Sequence, residues 1–292
     1  LTADRNYPNK PEWLRKKVLL NNQNIVRVKE LISDLNLHTV CQNAKCPNIF
    51  ECFSNKTATF LLLGNICTRN CAFCGVESGQ PLPIDENEPE NIARAVSVLD
   101  LKYIVLTSVT RDDLADGGAN QFAKTVRQIK SLMPGAKAEC LIPDFKKEIK
   151  NLEILLKEDV DVLNHNIETV ERNYIGVRSG ADYHKSLEIL ASAKKIKPGI
   201  VTKSGFMLGL GENIEEVHKL LEDLKKVSCD IVTIGQYLSP GGNNIPVHKY
   251  YSPEEFVELE KYAKNMLFKY VVSGVFVRSS YLAAMAFEAS GN

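Results

Sequence analysis

Thr59-Phe60-Leu61-Leu62-Leu63-Gly64-Asn65-Ile66-Cys67-Thr68-Arg69-Asn70-Cys71-Ala72-Phe73-Cys74 is an apolar run that breaks at a glycine into a loop carrying three cysteines. A short apolar run bounded by turn residues reads as a buried strand. The pattern recurs. β-rich runs fall at 103–107, 137–141, 160–165, 202–207 and 230–234, with helically spaced segments between them. In one segment Val217, Leu220, Leu221 and Leu224 share a face behind Asn213, and Glu216 completes a capping box. Another opens on Ser252-Pro253-Glu254-Glu255, with proline at the first helical position and Phe256, Leu259 and Ala263 behind it. Strands alternating with helices predict an α/β fold with parallel pairing and right-handed crossovers. Six units are too few to close an eightfold barrel, so the expectation is an open, partial (β/α)6 TIM-like barrel over 58–270. Residues 1–57 and 271–292 read as N- and C-terminal extensions wrapped on it. Ligands in such sheets sit at the carboxyl ends of the strands, where the distinctive residues fall.

The bulk numbers set limits. In 292 residues, 44% are apolar and 25% charged, enough for a real core in one large α/β unit or two small domains. The formal net charge is zero, so no global field draws nucleic acid or an anionic membrane. Positive charge gathers at Lys10, Arg15, Lys16, Lys17, Arg27 and Lys29, which reads as a solvated surface. No stretch approaches the ~20 apolar residues that span a bilayer. The chain opens on Leu1 with no apolar segment behind it, so a targeting segment is expected to be absent or removed. Of eight cysteines, six fall between positions 41 and 74, which favours metal over disulfides and a reducing compartment. The expected location is the cytoplasm, or an organelle's matrix or stroma in a eukaryote.

Cys67, Cys71 and Cys74 stand at C-x3-C-x2-C. Three thiolates can hold three irons of a 4Fe–4S cube, leaving the fourth iron open to a small molecule with an amine and a carboxylate. A zinc site is the alternative, but closed zinc sites want four ligands and no nearby histidine completes this one. Cys41, Cys46 and Cys52 form a second triplet at C-x4-C-x5-C. Two triplets read more simply as two clusters than as inert thiols or zinc with a distant ligand. Cys140 and Cys229 read as small buried hydrophobes. The five histidines show no ligand spacing, and His165, beside a candidate site, reads as structural.

With Phe73 before its last cysteine, the first triplet resembles the signature of the radical S-adenosylmethionine superfamily. Both triplets together, with Arg278-Ser279-Ser280-Tyr281, resemble the lipoyl synthase family. Lys10-Pro11-Glu12-Trp13-Leu14, Thr107-Ser108-Val109-Thr110-Arg111-Asp112-Asp113, Asn164-His165-Asn166-Ile167-Glu168-Thr169, residues 203–212 and Thr233-Ile234-Gly235-Gln236-Tyr237-Leu238 agree with it. The likeness runs from about residue 10 to about 285.

The resemblance implies a sulfurtransferase of lipoate biosynthesis and protein lipoylation. It would insert sulfur at C6 and C8 of an octanoyl-lysine carried by a lipoyl carrier domain or the glycine-cleavage H protein. Two S-adenosylmethionine molecules would be consumed, each giving a 5′-deoxyadenosyl radical, with the hard chemistry carried by the cofactors. It assigns Cys67, Cys71 and Cys74 to the radical-generating cluster. Cys41, Cys46 and Cys52 go to a sacrificial auxiliary 4Fe–4S cluster whose fourth ligand is placed at Ser280, with Ser279 the nearest competitor. From the residues alone, Arg278-Ser279-Ser280 reads first as a cap or turn, and only the resemblance favours a ligand. Phe73, Thr107, Ser108, Asn166, Glu168 and the turn Gly209, Gly211 and Glu212 are candidate S-adenosylmethionine contacts, with Arg178 as a fork donor to its carboxylate. An electron donor such as ferredoxin or flavodoxin and a monomeric state are further expectations. Residues 243–249 depart from the family's loop, and the chain ends at Asn292 where many members carry a longer tail; both bear on substrate or carrier contacts. Two other readings stand beside this one: a radical enzyme whose auxiliary cluster only relays electrons, and an iron–sulfur sensor without turnover.

Overall fold

The computed structural model describes residues 9–16 and 22–291. Lys17, Leu1 and Asn292, used above, lie outside the described residues. Before the barrel, α1 (Gln23–Asp34) buries Ile25, Val28 and Ile32, its start capped by the Asn22 side chain. Then α2 (Val40–Asn43) and α3 (Ile49–Ser54) carry Cys41 and Cys52, with Cys46 in the turn between them. Next come β1 (Thr59–Leu62) and two short strands, β2 (Ile66–Cys67) and β3 (Glu77–Ser78), which pair only with each other.

The barrel alternates as the apolar runs predict. Its elements are α4 (Glu88–Leu99), β4 (Tyr103–Ser108), α5 (Ala119–Leu132), β5 (Lys137–Leu141), α6 (Ile149–Leu156) and β6 (Val162–Asn164). They continue as α7 (Tyr174–Val177), α8 (Tyr183–Ile196), β7 (Val201–Leu208), α9 (Ile214–Lys226), β8 (Ile231–Gln236), α10 (Pro253–Asn265), β9 (Tyr270–Gly274) and α11 (Ala283–Ala289). The capping boxes at Asn213/Glu216 and Ser252/Glu255 both form. The sheet is parallel throughout, in the order β1-β4-β5-β6-β7-β8-β9, and β1 does not pair with β9. It is an open, partial barrel. β9 adds a seventh strand to the expected six. Its sequence, Tyr-Val-Val-Ser-Gly, is short and only partly buried, so it lacks the apolar run that marks the others.

Side chains alternate along each strand, and the inward set stacks in layers. At the amino ends Val162, Val201 and Ile231 pack with Ala286 and Phe287 of α11, and the Tyr103 ring lies 5.7 Å from that of Phe287. α11 therefore fills the lower barrel. Above it Glu139 and Lys203, 0% and 1% exposed, pair at 3.0 and 3.1 Å, with Tyr103 donating to Glu139 at 2.6 Å and Asn164 at 2.8 Å. The uppermost layer faces the site.

Candidate functional site

The strand ends and the loops above them enclose a cavity of about 490 Å³. Both cysteine triplets line it, and all six thiols are free. Cys67 ends β2, and its sulfur accepts from the backbone N–H groups of Arg69 (3.4 Å) and Thr110 (3.3 Å). The Cys74 sulfur accepts from Val76 N–H at 3.4 Å. Backbone donors aimed at sulfur favour its negative form.

Arg69, inside this loop, clamps it to the sheet. Its guanidinium donates to both oxygens of Asp112 (2.7 and 2.8 Å) and both of Asp144 (2.7 and 2.9 Å), beyond the ends of β4 and β5. The planar fork of arginine matches this double bidentate geometry. From the far side, Asn244 donates to the carbonyls of Ala72 and Cys74.

Burial pushes the Cys71 thiol up to about 11, against the pull of Arg178, and Cys74 up to about 12, with Cys71 and Cys67 adding to the rise. In the other triplet burial raises Cys41 to about 11 and Cys52 to about 12, with Cys46 adding to both. Thiols in each triplet thus lie close enough to act on one another, and Cys41, Cys52, Cys71 and Cys74 ionise readily only against a cation. Among the described residues no three His, Cys, Asp or Glu side chains close round a single metal ion. Soft donors in threes fit an iron–sulfur cube with one iron left over.

Strand-end residues form the other wall. Phe73, Thr107, Ser108, Asn166, Glu168 and Arg178 all line the cavity. The buried Ser108 hydroxyl has no partner, and an orphaned polar atom on a cavity wall calls for a ligand or water. Glu168 takes a left-handed backbone (φ +65°), and Asn166 Nδ2 donates to its carboxylate at 3.1 Å. Burial raises the Glu168 carboxyl, with Arg178 and Asn166 pulling against it. Arg178 itself donates to Tyr174 Oη (2.8 Å) and Ser186 Oγ (3.0 Å). Gly209, Gly211 and Glu212 do not line the cavity. The Glu212 carboxylate closes its own turn by accepting from Gly209 and Leu210 N–H at 2.6 and 2.9 Å, and both glycines hold positive φ. His165 is buried against Ile142 O at 2.9 Å and held down to about 3 by burial and Arg178, so its ring is neutral.

The C-terminal segment reaches the same cavity through Ser279, Ser280 and Tyr281. Ser279 donates to Asn166 Oδ1 at 2.8 Å, whereas the Ser280 hydroxyl makes no hydrogen bond among the described residues. Tyr281 donates to Glu51 at 2.6 Å, Lys16 bridges Glu51 and Asn48 at 2.6 Å each, and Asn48 donates to Phe276 O at 2.8 Å. These contacts tie the auxiliary triplet to the Arg-Ser-Ser-Tyr motif. None of the long-range ties by Arg69, Asn244, Asn48 and Glu51 was visible in sequence, although Arg69, Asp112 and Tyr281 lay within quoted stretches.

A family model described as the Radical SAM superfamily matches residues 61–224. The solved methylornithine synthase shares this fold, with a TM-score of 0.58 at 15% identity over 87% of this chain and 76% of that one. The chain is thus a radical S-adenosylmethionine protein, with 4Fe–4S chemistry built on that cosubstrate. Curated relatives narrow it further. A lipoyl synthase of Caldicellulosiruptor saccharolyticus is 56% identical over 94% of this chain and 96% of its own length. One of Aquifex aeolicus is 52% identical over 91% and 97%. The chain belongs to the lipoyl synthase family.

Proposed function

We propose that the chain inserts two sulfur atoms, at C6 and C8, into an octanoyl-lysine borne by a lipoyl carrier domain or H protein, using two S-adenosylmethionine per product. The observation carrying this reading is that two separate thiol triplets line one cavity together with the strand-end polar residues. When bound, a cluster on Cys67, Cys71 and Cys74 supplies an electron that cleaves S-adenosylmethionine to a hydrogen-abstracting radical, and one on Cys41, Cys46, Cys52 and Ser280 supplies sulfide. The chain's own residues hold, orient and shield. Backbone N–H groups of Arg69, Thr110 and Val76 temper charge on sulfur, and Arg69 fixes the loop. Ser108, Asn166, Glu168 and Arg178 offer a hydroxyl, an amide, a carboxylate and a guanidinium to the amino acid and ribose of the cosubstrate, and Phe73 and Thr107 pack beside them. Ser280 suits the fourth auxiliary position because its hydroxyl is uncommitted, while that of Ser279 is taken. A serine oxygen is a poorer partner for iron than thiolate, so that corner opens most easily.

On this reading residues 1–57 bring the auxiliary thiols, 58–270 most of the radical barrel and 271–292 the rest of β9 and the serine. The protein acts as a monomer in the cytoplasm and takes electrons from a ferredoxin or flavodoxin. Among the described residues no helix is long and apolar enough to cross a membrane. The test is anaerobic incubation with an octanoyl-lysyl peptide, S-adenosylmethionine and reductant, then mass spectrometry. Two added sulfurs support the proposal; 5′-deoxyadenosine without sulfur gain would point to electron relay instead.

A further inference from the structure

Two glycines on adjacent strands shape the floor beneath the Arg-Ser-Ser-Tyr segment. A Cβ on Gly235 of β8 would stand 2.2 Å from Val277 O, so the backbone at 277 lies directly on that strand. A Cβ on Gly205 of β7 would stand 2.4 Å from Thr233 Oγ1, 2.9 Å from Ser279 Oγ and 3.1 Å from Asn166 Oδ1. The space left by Gly205 borders the hydrogen bond from Ser279 to Asn166. An amide has one acceptor end and one donor end. With Asn166 Oδ1 accepting from Ser279 and Nδ2 donating to Glu168, both ends are assigned by partners, and the second N–H of Nδ2 is uncommitted in a residue that lines the cavity.

Resting on the reading of this cavity as the S-adenosylmethionine and auxiliary-cluster site, we infer that Ser279 is a positioning residue that sets the Asn166 amide as a donor toward the cosubstrate. Binding of S-adenosylmethionine is thereby tied to the seating of the segment that carries Ser280. A residue of the C-terminal motif serves the radical half of the site, and its neighbour serves the auxiliary half. Without the Ser279 hydroxyl Asn166 Oδ1 loses its partner, and the amide is held from the Glu168 side alone, so its donor end is less firmly set toward the cosubstrate.

The test measures the S-adenosylmethionine Kd by equilibrium binding, and bound iron, on anaerobically reconstituted wild type, S279A, S279T, G205A and S280A, with circular dichroism as a check on folding. S279A should weaken binding about three- to tenfold, the scale of one hydrogen bond, with iron content unchanged. S279T, which keeps the hydroxyl, should stay within about twofold, and G205A should repeat S279A. Folded S279A and G205A that both bind like wild type would overturn the inference. Loss of auxiliary iron in S279A with an unchanged Kd would make Ser279 a ligand and overturn both the inference and the Ser280 assignment. Auxiliary iron retained in S280A, beside weakened binding in S279A, would sink only the Ser280 assignment and support the positioning role.

Discussion

The side-chain amide of Asn244 donates to the backbone carbonyl of Cys74 at 2.8 Å, across 170 residues of sequence. The same Nδ2 reaches Ala72 O at 3.1 Å, and Ile245 N–H donates to Ala72 O at 2.9 Å. The loop after β8 therefore grips the backbone that carries the third cysteine of the radical triplet. Asn244→Ala removes two part-buried bonds, about 1–3 kcal/mol of local order. Iron on that triplet should then be lost to a chelator several-fold faster, with the auxiliary iron unaffected. Equal loss from both sites, followed by visible absorbance, would count against this role.

Arg69 pairs with Asp144, whose side chain is 3% exposed, and with the more open Asp112. Arg69→Ala strands a buried carboxylate and should cost about 3–5 kcal/mol in denaturant unfolding. Arg69→Lys keeps the charge but not the fork, so its cost should fall between wild type and the alanine variant.

Lys203 and Glu139 form a sealed pair beneath the cavity. Lys203→Met leaves the buried Glu139 carboxylate without its cationic partner, and should destabilise by about 3–5 kcal/mol. Adding Glu139→Gln removes that stranded charge and should restore a large part of the loss. A strictly additive double variant, measured by urea unfolding, would show that the two do not interact.

Asp161 and Asp230 each stand just before a strand and accept a backbone N–H from the neighbouring one, Ala138 at 2.9 Å and Thr202 at 2.8 Å. Burial works against both charges, yet Lys130 and Lys137 beside Asp161, and Lys194 beside Asp230, leave both carboxyls below their ordinary value. The folded protein then holds fewer protons than the unfolded chain through the acid range. Their stabilisation stands in full above the unfolded value of about 4 and drains away as pH falls through the folded values. The melting temperature should drop below that point, and Asp230→Asn should flatten part of the drop.

Separate cluster roles give a sharper contrast. Wild type prepared anaerobically should hold about eight irons per chain. Cys41→Ala should keep S-adenosylmethionine cleavage and lose sulfur insertion, whereas Cys71→Ala should lose both. A still-folded Cys41→Ala protein lacking cleavage as well would argue for one shared centre.

What the sequence made legible was local. Apolar runs marked six strands because buried parallel strands need continuous apolar side chains, and Asn213 and Ser252 announced their helices by short-range capping. The thiols stood out by spacing alone. β9 escaped because Tyr270, Ser273 and Gly274 dilute its pattern. Lys203 sits in a run that reads as plain strand, and its burial follows only from Glu139, two strands away in the sheet. The Gly209–Glu212 turn reads as a candidate S-adenosylmethionine contact, since a glycine turn before a helix has the same composition whether it binds a ligand or its own carboxylate. Asn244, Arg69 and Gly205 gain their meaning from partners dozens to hundreds of residues distant, which no periodicity encodes.

Phe287 and α11 turn the barrel from a tube into a cup. With tightly filled side chains below Glu139 and Lys203, a cup of this kind has a rim and no drain. A spent nucleoside cannot leave through that floor, so it departs on the side from which its replacement arrives and turnover becomes a matter of queueing. On the proposed function the acyl arm of a bulky carrier must also enter above that floor, so two rounds of chemistry share the space over it.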